Sequence, residues 1–273
     1  MEFLGAATQT SPLTGSSEFS HHDACPDCGS SDGLAVYTDE HTYCFVCHAW
    51  TPGNGSEQPP KRHTLMNYAG SAVRLNKRNL SEKTCEKFKI YRDGDTLRFH
   101  YHNADGQVIG AKTRSKSKVF SYEGETDGSF FGQHLWRPTG KRITITEGEL
   151  DAASCLEIAP TWAVVSLPSG AASAKKSIQK NLQFLQGYDQ IVLFFDNDDA
   201  GYKATQEAAS VLPPGKCTIA NLSHDYKDAS DALQAKDTQA ICKAIWDAKP
   251  YRPDGIVDAR NLLEIVTKPN PPH

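Results

Sequence analysis

The first 60 residues contain no Lys or Arg at all, yet they carry eight acidic residues. A segment of that kind cannot hold a polyanion by counterion release, so any nucleic acid it meets must be read through bases. Long apolar runs are missing as well. Nothing in the 273 residues approaches the roughly 20-residue apolar stretch of a membrane span, so no membrane partner is expected. The first twenty residues are rich in Ser and Thr and lack the basic start and apolar stretch of a secretory signal, so a cytoplasmic protein is expected. Cys85, Cys155, Cys217 and Cys242 lie singly in helix-like or strand-like segments, the pattern of reduced core thiols and not of a disulfide framework.

The other four cysteines are grouped. Cys25-Pro-Asp-Cys28 and Cys44-Phe-Val-Cys47 are separated by fifteen residues, the spacing at which two knuckles close on one tetrahedral Zn²⁺. Gly29, Ser30 and Asp32-Gly33 supply the turn chemistry that brings the pairs together. His21 and His22 lie just upstream and read as solvated residues of a loose arm, with replacement of a thiolate as the lesser alternative. A zinc ribbon is expected over 21–50, behind a disordered arm at 1–20.

The overall charge of -4 conceals segregation. Residues 61–120 hold fourteen Lys or Arg against five acids, the footprint of a polyanion site between two acidic regions. Thr51 to Pro60 is poor in apolar residues and rich in chain breakers, so a flexible linker is expected over 51–63. Short strand-like runs from Leu97 to Tyr122, with a helix around Ser81 to Lys89, suggest a basic α+β subdomain over 64–140. From Lys141 the pattern becomes βαβ. Arg142–Thr146, Trp162–Ser166, Gln190–Phe195 and Lys216–Leu222 read as strands separated by helices, which predicts an α/β domain with a mostly parallel sheet over 141–235. A C-terminal helix and tail occupy 236–273, with Thr267–His273 expected to be disordered.

Ligands of such a sheet gather at the carboxyl ends of its strands, and here those positions are acidic. Glu147 follows the first strand, with Asp151 nearby. Asp196 and Asp198 follow the third strand, and Asp228 the fourth. Clustered carboxylates call for a neutralising cation, and all-oxygen ligation suits Mg²⁺, although Asp also favours helix starts and separate caps would give a similar pattern. Lys112, Arg114, Lys116 and Lys118 fall at every second position, which on a strand places four cations on one face. A charged edge strand that resists aggregation is the alternative for this run. Gly170-Ala-Ala-Ser-Ala-Lys-Lys-Ser177 nearly spells a phosphate-binding P-loop, but Lys175 stands where the second glycine is needed, and we reject it.

Glu-Gly at one strand end and Asp-x-Asp-x-Ala-Gly at another resemble the Toprim domain of primases, topoisomerases and some nucleases. With the ribbon ahead of it, the chain resembles the zinc-ribbon/Toprim DNA primases. It is most similar to the primase portion of the primase-helicase proteins of short-tailed bacteriophages, and more distantly to bacterial DnaG-type primases. The likeness runs from Cys25 to Val257 and also covers Asp39-Glu-His-Thr-Tyr-Cys44, Leu80-Ser-Glu-Lys-Thr-Cys85, Phe131-Gly-Gln-His-Leu-Trp136, Asp199-Ala-Gly-Tyr-Lys-Ala204 and Pro253-Asp-Gly-Ile-Val257.

The resemblance implies synthesis of short RNA primers on single-stranded DNA from ribonucleoside triphosphates. A replicative helicase and a DNA polymerase are the implied partners. It assigns Glu147, Asp196 and Asp228, with Asp198 completing the cluster, to one or two Mg²⁺ ions, and gives Asp151 a steering role. It gives Lys118 a catalytic role and assigns Arg78, Lys112, Arg114 and Lys118 to phosphates. In the ribbon it makes Asp39 and His41 readers of the template, beside the stacking faces of Tyr37, Tyr43, Phe45 and Trp50. No P-loop ATPase motif is found, so the chain is expected to be a stand-alone primase or a fragment. A topoisomerase or nuclease, and a non-enzymatic recombination mediator that only binds DNA, are the competing readings.

Overall fold

The computed structural model describes residues 18–47, 49–54, 70–103, 105–125, 127–223 and 225–252. Most of the expected arm at 1–20, most of the expected linker at 51–63, the Pro253–Val257 motif and the tail at Thr267–His273 lie outside the described residues. The chain divides into two compact units, Met1–Lys61 and Arg62–His273.

The first unit is an antiparallel sheet of four short strands in sequence order, β1 (Phe19–Asp23), β2 (Leu34–Tyr37), β3 (Thr42–Cys44) and β4 (Trp50–Thr51). The loose arm expected at His21 and His22 is a strand. β1 pairs with β2 from Phe19↔Tyr37 to Asp23↔Leu34, although all five of its residues are exposed. Backbone pairing and ring contacts from Phe19 to Tyr37 and from His22 to Phe45 hold it, and these leave no alternating apolar signal in the sequence.

In the second unit Ser81 caps α1 (Glu82–Phe88), its hydroxyl accepting from the Thr84 N–H at 3.3 Å. An antiparallel meander follows, β5 (Ile90–Asp93), β6 (Thr96–His102), β7 (Val108–Arg114) and β8 (Phe120–Gly124). The chain then enters the alternating region: β9 (Gly140–Thr146), α2 (Glu149–Ile158), β10 (Ala163–Ser166), α3 (Ala174–Lys180), α4 (Leu182–Gln186), β11 (Tyr188–Phe194), α5 (Asp199–Ala209), β12 (Cys217–Ile219), α6 (Ala229–Gln234), α7 (Thr238–Trp246) and β13 (Lys249–Pro250). The sheet order is β10-β9-β11-β12-β13, and every pairing is parallel except the last. The run read as a near P-loop forms a short 3₁₀ turn leading into α3.

Both faces of this sheet are covered, so its strands are apolar without alternation. Along β11 and just beyond it, Val192 and Phe194 point into one apolar cluster, while Ile191, Leu193 and Phe195 point into the other. The first cluster joins the meander to the sheet. Phe131 is its hub, stacked on Phe88 at 5.2 Å and meeting Phe99 and Tyr101 at 5.9 and 5.5 Å. Burying an aromatic side chain of this size contributes about 2–3 kcal/mol, so this contact helps to hold the meander against the α/β part.

The expected row of four cations on one strand is not formed. β7 ends at Arg114, and Ser115 closes a turn, its hydroxyl accepting from the Val119 N–H at 3.1 Å while its carbonyl accepts from the Lys118 N–H at 3.0 Å. Lys118 sits there in the left-handed region at φ 63°. Only Lys112 and Arg114 share a strand face; Lys116 and Lys118 are exposed in the turn.

Candidate active site and cysteine centre

In the first unit the two knuckles converge. The Sγ atoms of Cys25 and Cys47 are 3.6 Å apart and those of Cys28 and Cys44 are 3.7 Å apart, with no disulfide. Tetrahedral ligation with Zn–S near 2.3 Å requires sulfur separations of about 3.8 Å, so the four thiols fit a closed zinc site. Neither His21 nor His22 joins the cluster. On the neighbouring hairpin the His41 ring stacks on Tyr37 at 4.0 Å and 11°, and its Nδ1 lies 2.6 Å from Asp39 Oδ1. Phe45 stays half exposed and meets Tyr43 edge-on, which leaves ring surface open to solvent.

In the second unit the acids come from three strand ends. After β9, Gly148 precedes α2, and a Cβ there would lie 2.7 Å from Asp151 Oδ2. Glycine is what leaves room for that carboxylate. After β11, Asp198 caps α5 by accepting from the Gly201 N–H at 2.9 Å. A Cβ on Gly201 would come within 2.1 Å of the Asp196 carbonyl, so the Ala-Gly of the motif lets the helix start close against its own acidic loop. Asp228 caps α6, accepting from the Asp231 N–H at 2.7 Å. These carboxylates therefore do cap helices, and the folding also gathers them.

One oxygen each of Asp151, Asp196 and Asp228 lies within 4.8 Å of the others. Asp151 is buried and accepts from the Ser230 N–H at 2.9 Å. Burial first, then the charges of Asp228 and Asp196, push its pKa well above the ordinary carboxylate range. Burial likewise raises Asp196, against the opposing pull of Lys227. Glu147 is raised by burial and by Asp196, and its Oε2 is buried without a hydrogen-bond partner. Asp198 is the exception. The Gly201 N–H and Lys227 lower it. Hard oxygen donors crowded at a cost in repulsion, with one orphaned carboxylate oxygen beside them, fit a divalent cation. The three carboxylates that converge are thus Asp151, Asp196 and Asp228, with Glu147 close enough to Asp196 to feel its charge.

Two arginines face the acids. Arg78 Nη1 donates to Ser230 Oγ at 3.0 Å, and the neighbouring Asn79 side chain donates to the carbonyls of Leu233 and Gln234 at the end of α6. Arg114 is partly buried. Burial and then Arg78 lower its pKa, while Glu149, Asp151 and Asp228 act in the opposite sense. Lys112 is engaged elsewhere, with Nζ 2.8 Å from Glu149 Oε1 and 3.4 Å from the Pro168 carbonyl. Tyr101 donates to the same Glu149 oxygen at 2.7 Å, and Tyr122 donates to the Pro168 carbonyl at 2.6 Å. Lys112 thus ties the meander to the start of α2. Lys116 reaches Asp95 at 3.6 Å, and Lys118 is exposed.

Sequence reasoning missed Lys227, whose ammonium lies 3.2 Å from Asp196 and 3.1 Å from Asp198, and also Glu149. The Lys-Asp pair at 227–228 was the available signal for Lys227. A lone Glu in a first helical turn gives none for Glu149, because Glu there is ordinary.

Residues 144–233 match the family model described as Toprim-like. The DNA helicase/primase of Enterobacteria phage T3 is 36% identical over 91% of this chain and 47% of its own length. The chain thus spans about half the length of that relative. The crystal structure of the primase fragment of the bacteriophage T7 primase-helicase protein is 35% identical, covering 84% of this chain and 100% of the fragment, with a TM-score of 0.64. A second bacteriophage T7 structure contains the lagging-strand DNA polymerase interacting with primase domains of two subunits bound to an RNA/DNA hybrid and dTTP. It matches at 37% identity over 67% of this chain and 93% of the matched chain, with a TM-score of 0.61. With its cysteine centre, its acidic strand ends and a fragment-length match to a primase, the chain belongs to the zinc-ribbon/Toprim DNA primase family and corresponds to the primase portion of the phage primase-helicase proteins.

Proposed function

We propose that this chain is a DNA primase that joins ribonucleotides on single-stranded DNA. The observation that carries the reading is the gathering of Asp151, Asp196 and Asp228 from three strand ends of a Toprim sheet. Asp151, Asp196, Asp228 and Glu147 would hold one or two Mg²⁺ ions, which would polarise the reacting phosphate and support the departing pyrophosphate. Arg78, fixed through Ser230, and Arg114, desolvated beside the acids, bind the triphosphate oxygens, where a guanidinium can engage two at once. Lys112 contributes by fixing Glu149 and the Pro168 loop, and Lys118 contributes an exposed charge from its turn.

The cysteine centre holds structural Zn²⁺, and the ribbon reads the template through Asp39 and His41. When Asp39 accepts from Nδ1–H, Nε2 of His41 is the acceptor nitrogen, and stacking on Tyr37 fixes the plane it presents. Acting without cations, this ribbon discriminates bases and adds little salt-dependent affinity. A replicative helicase and a DNA polymerase are the partners this role requires, in the cytoplasm of the host cell. Among the described residues no helix is long and apolar enough to cross a membrane.

The test is incorporation of labelled ribonucleotides on single-stranded templates of varied sequence, with and without Mg²⁺. Template-selective, Mg²⁺-dependent products support the reading. DNA binding without any product would point instead to a recombination mediator.

A further inference from the structure

Lys227 is held in place by its surroundings. Its carbonyl accepts from the Asn197 N–H at 2.7 Å, which fixes the strand-end loop carrying Asp196 and Asp198 against the loop carrying Lys227. The next residue, Asp228, caps α6. Between these anchors the ammonium spans both carboxylates, 3.2 Å from Asp196 Oδ2 and 3.1 Å from Asp198 Oδ2, while the side chain remains 54% exposed. The lysine therefore has the position of a counter-cation and the solvent access of a group that can leave.

We infer that Lys227 is a built-in stand-in for the divalent cation: it keeps Asp196 and Asp198 together until a cation displaces it, and the released ammonium then meets a phosphate oxygen of the nucleotide. An ammonium in direct contact with Asp196 competes with any ion that Asp196 would ligate, because two cations a few ångströms apart repel strongly. Displacement does not carry it away, since its backbone stays tied to Asn197. A four-carbon stem on a fixed backbone can turn outward by several ångströms, towards the phosphates that a cation at Asp196 would draw in. Lys227 is thus a positioning residue that couples cation entry to phosphate binding. The phosphate half of the inference rests on the primase reading; the competition half does not.

The test is calorimetric titration of the 273-residue chain with Mn²⁺, without nucleotide, for the native sequence and two variants. Lys227→Met keeps the length and removes the charge, and should tighten Mn²⁺ binding by about tenfold or more. Lys227→Arg, a planar fork that can engage both carboxylates, should weaken it several-fold. Thermal melting in the presence of a chelator checks folding, and the arginine variant carries the test if the methionine variant does not fold. In the presence of saturating Mn²⁺, inorganic pyrophosphate should bind Lys227→Met about fivefold more weakly than the native chain. Mn²⁺ affinity that is unchanged or lower in Lys227→Met, or unchanged in Lys227→Arg, overturns the competition. Unchanged pyrophosphate affinity overturns the phosphate role. None of these readouts requires primer synthesis, so a chain that makes no primers while Lys227→Met tightens Mn²⁺ would contradict the primase reading and leave the competition standing.

Discussion

The four thiols of the first unit and the carboxylates of the second are gathered by different means. The sulfurs come from two knuckles on one small antiparallel sheet, pair at 3.6 and 3.7 Å, and close on one another with no neighbouring cation described. The carboxylates come from strand ends far apart in sequence and remain partly open. Their neighbours, Lys227, Arg78 and Arg114, are cations already in place. A closed set can only hold an ion as structure, whereas an open set with cations beside it can hold an ion and a phosphate together. The two units should therefore fail in different ways.

The largest effect is expected from Cys44→Ser. It should release the zinc and abolish initiation of primers on single-stranded templates, while the melting transition of the second unit stays where it is, because each unit is compact by itself. Zinc content, primer yield and differential scanning calorimetry check this, and a simultaneous loss of both transitions would break the division. Next is Asp196→Asn, which keeps shape and removes one charge from the convergent acids. Nucleotide joining should fall by at least ~100-fold, or roughly 3 kcal/mol, with part of the loss recovered at raised Mg²⁺. Template binding should survive, since the change lowers repulsion of DNA phosphates.

The difference between the two sites also explains what was legible in the sequence. Cys25, Cys28, Cys44 and Cys47 declare themselves because knuckle chemistry is local and the spacing contains the geometry. Glu147, Asp196 and Asp228 could be placed at strand ends from the βαβ alternation, but which of them converge depends on helix rotation. Asp151 enters the cluster because α2 begins at Glu149 and turns its first buried face inward. The basic run was misread for the opposite reason. Its alternation continues through Ser115 and Ser117, but the Ser115 hydroxyl favours a turn over a further strand pair. β1 escaped notice because five exposed residues carry no apolar period.

Smaller effects sharpen the contrast inside the second unit. Lys112→Ala leaves Glu149 buried with its bond from Tyr101 but without its counter-cation, and breaking such a pair costs about 3–5 kcal/mol. The melting temperature should fall by roughly 6–20 °C, at 2–4 °C per kcal/mol for a unit of this size. An unchanged melting temperature would return Lys112 to a purely phosphate-binding role.

His134 and His100 are held neutral, burial pushing each down to about 4. His134 also stacks on His102 at 3.7 Å. The unfolded chain takes up these protons near pH 6.5, so the stability present above that pH is lost as pH falls towards 4. His134→Phe should remove about 2 kcal/mol of that loss at pH 5, read from melting temperature against pH. An identical slope in the variant would place the acid sensitivity elsewhere. Smallest of all, Lys118→Ala in its exposed turn should slow joining by about threefold, roughly 0.7 kcal/mol, and leave template binding nearly untouched, because several cations share the DNA. Equal losses in rate and binding would make Lys118 a simple backbone contact.

The division of labour is tested most directly by supplying a short RNA already annealed to a DNA template and following its extension with labelled ribonucleotides in Mg²⁺. If the ribbon selects the start site and the carboxylates perform the joining, Cys44→Ser extends this primer at close to the native rate although it cannot initiate one. Asp196→Asn, which still binds the template, then extends it at least ~100-fold more slowly. Extension by Asp196→Asn at the native rate, or its complete loss in a folded Cys44→Ser protein, would contradict that account.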